Sequence, residues 1–297
     1  MSSKTYGVDV ASYQSTDMAA YHKAGASFAI VKLTEGTDYV NLKASKQVAS
    51  SRANHLYTHA YHFSRFGSSV SQAKKEAAYF IKEAKKQDIS KKRMLWLDWE
   101  SGSGNTVTGP KASNTAAILA FMQAVKAAGW RPGLYSGASL MRTAIDTAQV
   151  VKKYGTCLWV ASYPTMSAVS SADFDYFPSM DGVAIWQFTN NWHGLGVDGN
   201  VALVDLNSTS SASPDKPKPK PKATTTDFKG VVKVKSLGAG KASWKVRLLS
   251  KDGHYTDSYV PQGSRWKTTK VATIKGKKCY LIGKDLWIPA EYVTVTK

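Results

Sequence analysis

The run Met94-Leu95-Trp96-Leu97-Asp98-Trp99-Glu100 sets two carboxylates two residues apart at the end of an apolar stretch. On a strand, side chains alternate between faces, so Asp98 and Glu100 point the same way, with Cα atoms roughly 6.5 Å apart. Two carboxylates that close, once partly desolvated, cannot both ionise freely, and the less solvated partner keeps a proton. A proton retained near neutral pH is what a general acid needs to break a glycosidic bond. An isolated Asp-x-Glu is more often a strand end with two solvated acids. The surrounding pattern has to decide.

Rigid elements must hold such a pair, and the first 207 residues supply an alternation of them. Strands are predicted at Tyr6–Val10, Ser27–Leu33, Leu56–Phe63, Arg93–Asp98, Pro132–Tyr135, Leu158–Ala161, Val183–Phe188 and Asn200–Val204. Helices are predicted at Met18–Lys23, Leu42–Ala53, Val70–Lys86 and Asn114–Ala128. About eight strands with helices between most of them favour a parallel sheet closed into a barrel, irregular where helices thin out after Val151. In such barrels the active site lies at the C-terminal strand ends. Asp9 ends the first strand, and Lys32 and Glu35 follow the second. Tyr61, His62 and Phe63 end the third, and Asp98 and Glu100 the fourth. Tyr135, Tyr163 and Gln187 end the next three, and Asp198 precedes the last.

Composition narrows the classes. At 297 residues and 43% hydrophobic, the chain is long enough for one domain of about 200 residues and a smaller one. The N-terminus shows no apolar signal-peptide run, and no stretch is long enough to span a membrane, so neither export by its own signal nor membrane insertion is expected. Cys157 and Cys279 are far apart and read as two free thiols. The six His are scattered, so neither a metal site nor a cofactor is expected. Residues 208–297 hold 19 Lys and Arg against 6 Asp and Glu, hence +13 of the +19 net charge. A polyanionic partner fits that balance. Alternating Pro and Lys from Pro214 to Lys222 read as a semi-rigid spacer over 208–223, separating a domain at 1–207 from one at 224–297.

The first domain resembles the glycoside hydrolase family 25 lysozymes of bacteriophage endolysins. The matching residues are Gly7-Val8-Asp9-Val10-Ala11-Ser12-Tyr13-Gln14, Lys32-Leu33-Thr34-Glu35-Gly36, Ala60-Tyr61-His62-Phe63-Ser64-Arg65-Phe66 and Leu97-Asp98-Trp99-Glu100. Phe177-Pro178-Ser179-Met180-Asp181-Gly182, Ile185-Trp186-Gln187-Phe188 and Asp198-Gly199-Asn200 follow in the same order. The resemblance implies an eight-stranded β/α (TIM-like) barrel with fewer helices than strands. It also implies hydrolysis of the β-1,4 bond between N-acetylmuramic acid and N-acetylglucosamine in peptidoglycan. Glu100 matches the general acid, Asp98 its acidic partner, and Asp9 and Asp198 two further carboxylates of the cleft, with Asp205 as the other way to align the last. Tyr61, Trp99, Tyr135 and Trp186 are candidate sugar platforms, and Lys32 and Glu35 further binding residues. His59 and His62 are expected to make structural hydrogen bonds.

Three routes stay open: covalent retention, inversion, and attack by the substrate's own 2-acetamido oxygen, which is the route favoured here. A glycan-binding barrel without catalysis and a glucosaminidase are the competing functions. A phage enzyme without a signal would wait in the host cytoplasm and reach the wall through a phage-encoded pore.

Residues 224–297 read as all-β, with Phe228, Trp244, Tyr255, Tyr259, Trp266, Tyr280, Trp287 and Tyr292 between Gly and Lys turns. Cys279–Ile282 and Leu286–Ile288 flank Gly283-Lys284-Asp285 as a hairpin. The domain looks like the small SH3-like wall-binding modules of endolysins and is similar to the wall-anchoring repeats of Lactobacillus surface-layer proteins. Either implies teichoic acid, another anionic wall polymer or peptidoglycan as its partner, in preference to nucleic acid.

Overall fold

The computed structural model describes residues 4–102, 104–206, 225–236, 245–251, 253, 255–274 and 276–296. The chain divides into two compact units, Met1–Ala212 and Ser213–Lys297. The division falls within the predicted 208–223 spacer, which lies outside the described residues, as does Trp244.

In the first unit the elements run β1 (Thr5–Val10), α1 (Ala19–Lys23), β2 (Ala26–Glu35), β3 (Tyr39–Val40), α2 (Ala44–Ala53), β4 (Tyr57–Phe63), α3 (Val70–Lys86), β5 (Met94–Asp98) and α4 (Lys111–Ala127). They continue with β6 (Arg131–Gly137), α5 (Ala138–Thr143), α6 (Thr147–Tyr154), β7 (Leu158–Ala161), β8 (Val183–Thr189) and β9 (Asp198–Ala202). Eight of these strands close a barrel in the order β1-β2-β4-β5-β6-β7-β8-β9, and β9 returns to β1. The two-residue β3 only extends β2 as a hairpin. The predicted barrel is present, with one difference. β9 runs antiparallel to both β8 and β1. Only residues 190–197 connect β8 to β9, too few for the crossover that a parallel pair requires. No α-helix separates β7 from β8 either, so the irregularity falls in the last third.

Strand parity sorts the side chains into two cores. One face of each strand fills the barrel interior with Phe28, Ile30, Tyr61, Met94, Trp96, Tyr135, Trp159 and Ile185. The other packs against the helices, with Val8, Leu33, Leu97, Phe80 of α3 and Phe121 of α4 among its members. Gly133 is inward-facing, and a Cβ there would lie 2.1 Å from the Trp96 ring. Replacing it would displace a fully buried indole. Helix α3 begins where the Ser69 hydroxyl caps it by accepting from the Gln72 amide. It buries Ala73, Ala77, Phe80 and Ala84 at helical spacing, as its sequence period demands. No helix among the described residues is long and apolar enough to cross a membrane.

The second unit is all-β. Strands β10 (Thr225–Val234), β11 (Lys245–Leu249), β12 (Tyr255–Pro261), β13 (Arg265–Ile274), β14 (Lys277–Gly283), β15 (Leu286–Pro289) and β16 (Val293–Thr296) form one sheet ordered β12-β11-β15-β14-β13-β10-β16. Val232, Val246, Leu248, Val260, Ile288 and Val293 centre its core. The expected hairpin is β14–β15, with Gly283 opposite Leu286. Its turn needs a residue at positive φ, and Asp285 supplies it at 55°.

Candidate active site

Asp9, Asp98, Glu100 and Asp198 converge at the C-terminal mouth of the barrel. The closing strands bring Asp9 directly opposite Asp198, as cross-strand neighbours of β1 and β9. Asp98 ends β5 and lies between Phe63 of β4 and Tyr135 of β6 in register. Glu100 falls two residues further on, past the end of β5, so the strand geometry expected to aim it does not extend that far. Other contacts fix its backbone. The Trp99 amide donates to the Tyr135 carbonyl at 3.0 Å, and the Ser136 hydroxyl to the Trp99 carbonyl at 2.7 Å. The Asn105 side-chain amide donates to the Glu100 carbonyl at 2.6 Å.

Asp9 and Asp198 share a hydrogen bond, which requires a proton between them. The network decides which of them keeps it. Asp9 Oδ2 accepts from Gln187 Nε2 at 2.8 Å and from Asn200 Nδ2 at 2.7 Å. Neither amide can flip. The Asn200 oxygen is taken by the Trp159 indole N–H at 2.7 Å, and the Gln187 oxygen by the hydroxyls of Tyr135 at 2.9 Å and Tyr163 at 2.5 Å. Burial raises the Asp9 carboxyl as well, but the two amide donors and Asp198 act against that rise, so the network favours Asp9 as the ionised acceptor and Asp198 as the member that keeps the proton. Burial first, then the charge of Asp9, pushes the Asp198 carboxyl up to about 9.

Asp98 is buried, and one of its oxygens, Oδ1, has no hydrogen-bond partner. Desolvation, then the charge of Glu100, raises its pKa well above the usual carboxylate range. Glu100 is half-buried, and burial followed by the charge of Asp9 pushes it up to about 7. Lys32 opposes both shifts. Its ammonium sits 4.9 Å from the Phe63 ring centroid and donates to Glu35 at 2.7 Å. Positions i and i+3 of a regular strand face opposite ways. The register of β2 against β4 slips between Lys32 and Thr34, and the slip puts Lys32 and Glu35 on one side. Arg65 clamps Glu35 from beyond β4 through Nε at 2.9 Å and also through Nη2, and reaches Asp38 at 3.0 Å. These charges hold the Glu35 carboxyl below its ordinary range against the opposing effect of burial.

A half-buried acid that keeps its proton near neutral pH, beside a buried acid with an unpaired oxygen, is the equipment for acid-catalysed cleavage of an acetal. The model of the glycosyl hydrolases family 25 matches residues 8–197. The chain belongs to glycosyl hydrolase family 25. Over 179 residues it is 74% identical to the lysozyme of Lactococcus phage mv1, covering 60% of this chain and 89% of that protein. It is 34% identical over 199 residues to the lysozyme of Streptococcus phage Cp-1, covering 67% of this chain and 53% of the relative, so the match spans about half of that protein. Among solved structures, the multimodular pneumococcal cell wall endolysin from phage Cp-1, complexed with choline, aligns with a TM-score of 0.59 at 26% identity, over 97% of this chain and 77% of that one.

Within this family 25 barrel, two of the four expected sugar platforms are elsewhere. Trp99 is fully buried against the helices, and its indole N–H donates to the Gly67 carbonyl at 2.9 Å. Trp186 is fully buried among Phe174, Phe177 and Phe188, with its N–H on the Ser162 carbonyl at 2.8 Å. Neither offers a ring face to a ligand; each pegs a strand end to the outer core. Tyr61 and Tyr135 do face the acids, and both phenols are held neutral by burial and by the surrounding carboxylates. Asp205 is exposed and acts on Arg93 and Arg131 at the N-terminal strand ends, so Asp198 is the cleft acid. His62 faces outward, bonded to Thr34 at 2.8 Å and to buried Glu76 of α3 at 3.0 Å. His59 faces inward and accepts from the Met94 amide at 2.9 Å. Asn105 and the clamp by Arg65 escaped sequence reasoning: Arg65 reaches Glu35 across 30 residues, and Asn105 is itself held by the Gly67 amide 38 residues away.

The raised carboxyls make stability depend on pH. Asp198 binds a proton in the folded chain where the unfolded chain has lost it, so between about pH 4 and pH 9 folding takes up protons and stability falls as pH rises. Asp198→Asn replaces the protonated acid with a neutral donor to Asp9. We expect its thermal midpoint to exceed the parent's near pH 8 and to match it near pH 4. A pH-independent difference would contradict the shared proton.

Proposed function

We propose that the chain is a lysozyme that hydrolyses the β-1,4 bond between N-acetylmuramic acid and N-acetylglucosamine in bacterial peptidoglycan. The observation that carries this is Asp98 Oδ1, buried at the mouth without a partner, two residues before the half-buried Glu100. Glu100 reaches the leaving oxygen and Asp98 meets the substrate's acetamido N–H. A donor to the ionised form lowers a carboxyl pKa, so substrate binding favours ionised Asp98, and the negative charge of Asp98 in turn favours the protonated form of Glu100. The acetamido oxygen then attacks the anomeric carbon as Glu100 protonates the leaving oxygen, and Glu100 activates the water that completes the turnover with retention. Incubation with purified walls should produce new reducing ends on N-acetylmuramic acid, read by mass spectrometry. Reducing ends on N-acetylglucosamine would make it a glucosaminidase, and none at all a binding protein.

The second unit, an SH3-like module in this reading, holds the enzyme on the wall. Its charge of +13 over residues 208–297 favours teichoic acid or another anionic polymer. Arg247, paired with Asp257 at 2.9 Å, stands 5.7 Å from the ring centroids of both Tyr255 and Tyr259, which add exposed aromatic surface. Release to the wall follows the phage pattern of waiting in the host cytoplasm for a separate pore. Removing residues 208–297 should weaken sedimentation with walls by roughly tenfold or more while sparing hydrolysis of soluble fragments. Undiminished wall binding would remove the anchoring role.

A further inference from the structure

Tyr13 and Leu42 are the most exposed large apolar side chains of the first unit, at 92% and 93%. Single exposed hydrophobes are ordinary. These two are not on loose segments. Tyr13 follows Asp9 by four residues on the loop that leaves β1, and Leu42 follows β3, which folds back beside the C-terminal end of β2 to the level of Leu33, so both flank the end of the barrel that carries the acids. The two loops are tied to one buried side chain, Gln47 of α2. Its Nε2 donates to the carbonyls of Ala11 at 2.8 Å and Ser15 at 3.2 Å, and its Oε1 accepts from Asn41 at 3.0 Å. Asn41 also donates to the Lys32 carbonyl at 2.9 Å, and Lys43 Nζ donates to the Gln14 carbonyl at 3.0 Å. The backbone on either side of each residue is thus fixed, while the side chain itself stands in water.

We propose that the Tyr13–Leu42 rim is a contact surface for sugar units of the glycan strand beyond the bond being cut. The inference rests on the lysozyme reading and extends it. The occupant follows from position and chemistry. Four residues beyond Asp9 span at most about 14 Å, so a strand seated at the acids passes the rim within a few sugar units. The way there is continuous: the Lys32 ammonium beside the acids lies 5.5 Å from the Tyr39 ring centroid, and Val40 and Asn41 then lead to Leu42. A rigid aromatic face and an aliphatic neighbour match the C–H faces and acetyl methyls of such sugars. A polymeric substrate offers such remote contacts, and they raise affinity without touching the reacting atoms.

The test uses the full chain carrying Glu100→Gln, so that binding is read without cleavage. Affinities are measured for a disaccharide and for long glycan fragments without stem peptides, with and without Tyr13→Ala and Leu42→Ala. The ratio of long-fragment to disaccharide affinity should fall by about tenfold in the double variant and be retained in Tyr13→Trp. Thermal midpoints within error of the parent exclude a folding effect. An unchanged ratio overturns this inference alone. So does a concentration-dependent dimer abolished by the alanines, which would assign the rim to a self-contact. A parent that binds no glycan removes the lysozyme reading together with this one.

Discussion

Glu100→Gln should lower the release of reducing ends from bacterial walls by roughly 10³-fold, within the 10²–10⁴ range that positioned general acids contribute. The amide keeps the size and hydrogen-bonding reach of the acid but has no proton to give the leaving oxygen. The charge of Glu100 also helps to raise the Asp98, Asp198, Tyr61 and Tyr135 groups, a contribution that the amide removes while leaving the backbone in place. Its backbone is set by Asn105, Ser136 and the buried Trp99, none of which touches the carboxylate oxygens in the structure. The folded state should therefore persist, which circular dichroism and a thermal scan will check. The unsubstituted chain adds a second readout. With Glu100 pushed up to about 7, the protonated form required for the first step is lost as pH rises through that value. The rate should fall on the alkaline side with an apparent pKa near there. Residual activity within tenfold of the parent would take the proton donor elsewhere.

The acids were legible because apolar strand runs announce where strands end, and barrel chemistry collects at those ends. Asp9 and Asp98 follow such runs directly. The two tryptophans were misplaced by neglect of the same alternation that placed the acids. Asp98 faces the interior, so Trp99, its neighbour, must face the helices, and Trp186 stands in the same relation to Gln187. An aromatic ring at a strand end looks like a sugar platform only when parity is ignored. What sequence could not supply is pairing across long separations. Asn200 and Trp159 are 41 residues apart, and Gln187 and Asp9 are 178 apart, yet these bonds decide which member of the Asp9–Asp198 pair is charged. The antiparallel β9 belongs to the same class, since the short loop before it has meaning only once β8 and β1 are known to be its neighbours. The bulge in β2 is likewise invisible until the register against β4 is drawn, and without it Lys32 would not meet Glu35.

Asp98→Asn tests the route itself. Asp9, Gln187 and Asn200 have bonded polar atoms, whereas Asp98 Oδ1, like the inward-facing Trp96 Nε1 and His59 Nε2, has no partner, and of these three only Asp98 stands at the mouth beside Glu100. Buried polar atoms are rarely left so, because each costs about 1–3 kcal/mol. In the proposed route that oxygen meets a ligand donor. The acetamido N–H next to the scissile bond has the right polarity. An ionised Asp98 accepting from it stabilises the positive charge that develops on the amide as its oxygen closes on the anomeric carbon. Asparagine can still accept through Oδ1, so ground-state binding should change little. It brings no negative charge, so the stabilisation specific to the transition state is lost. The expected result is a fall in kcat of roughly 10²–10³ with KM within a few-fold of the parent, the signature of an interaction made in the transition state. NMR of the first-formed product from the unsubstituted chain should show the retained anomer. An inverted anomer would require water to attack directly, and Asp98 would then act as the base that activates it.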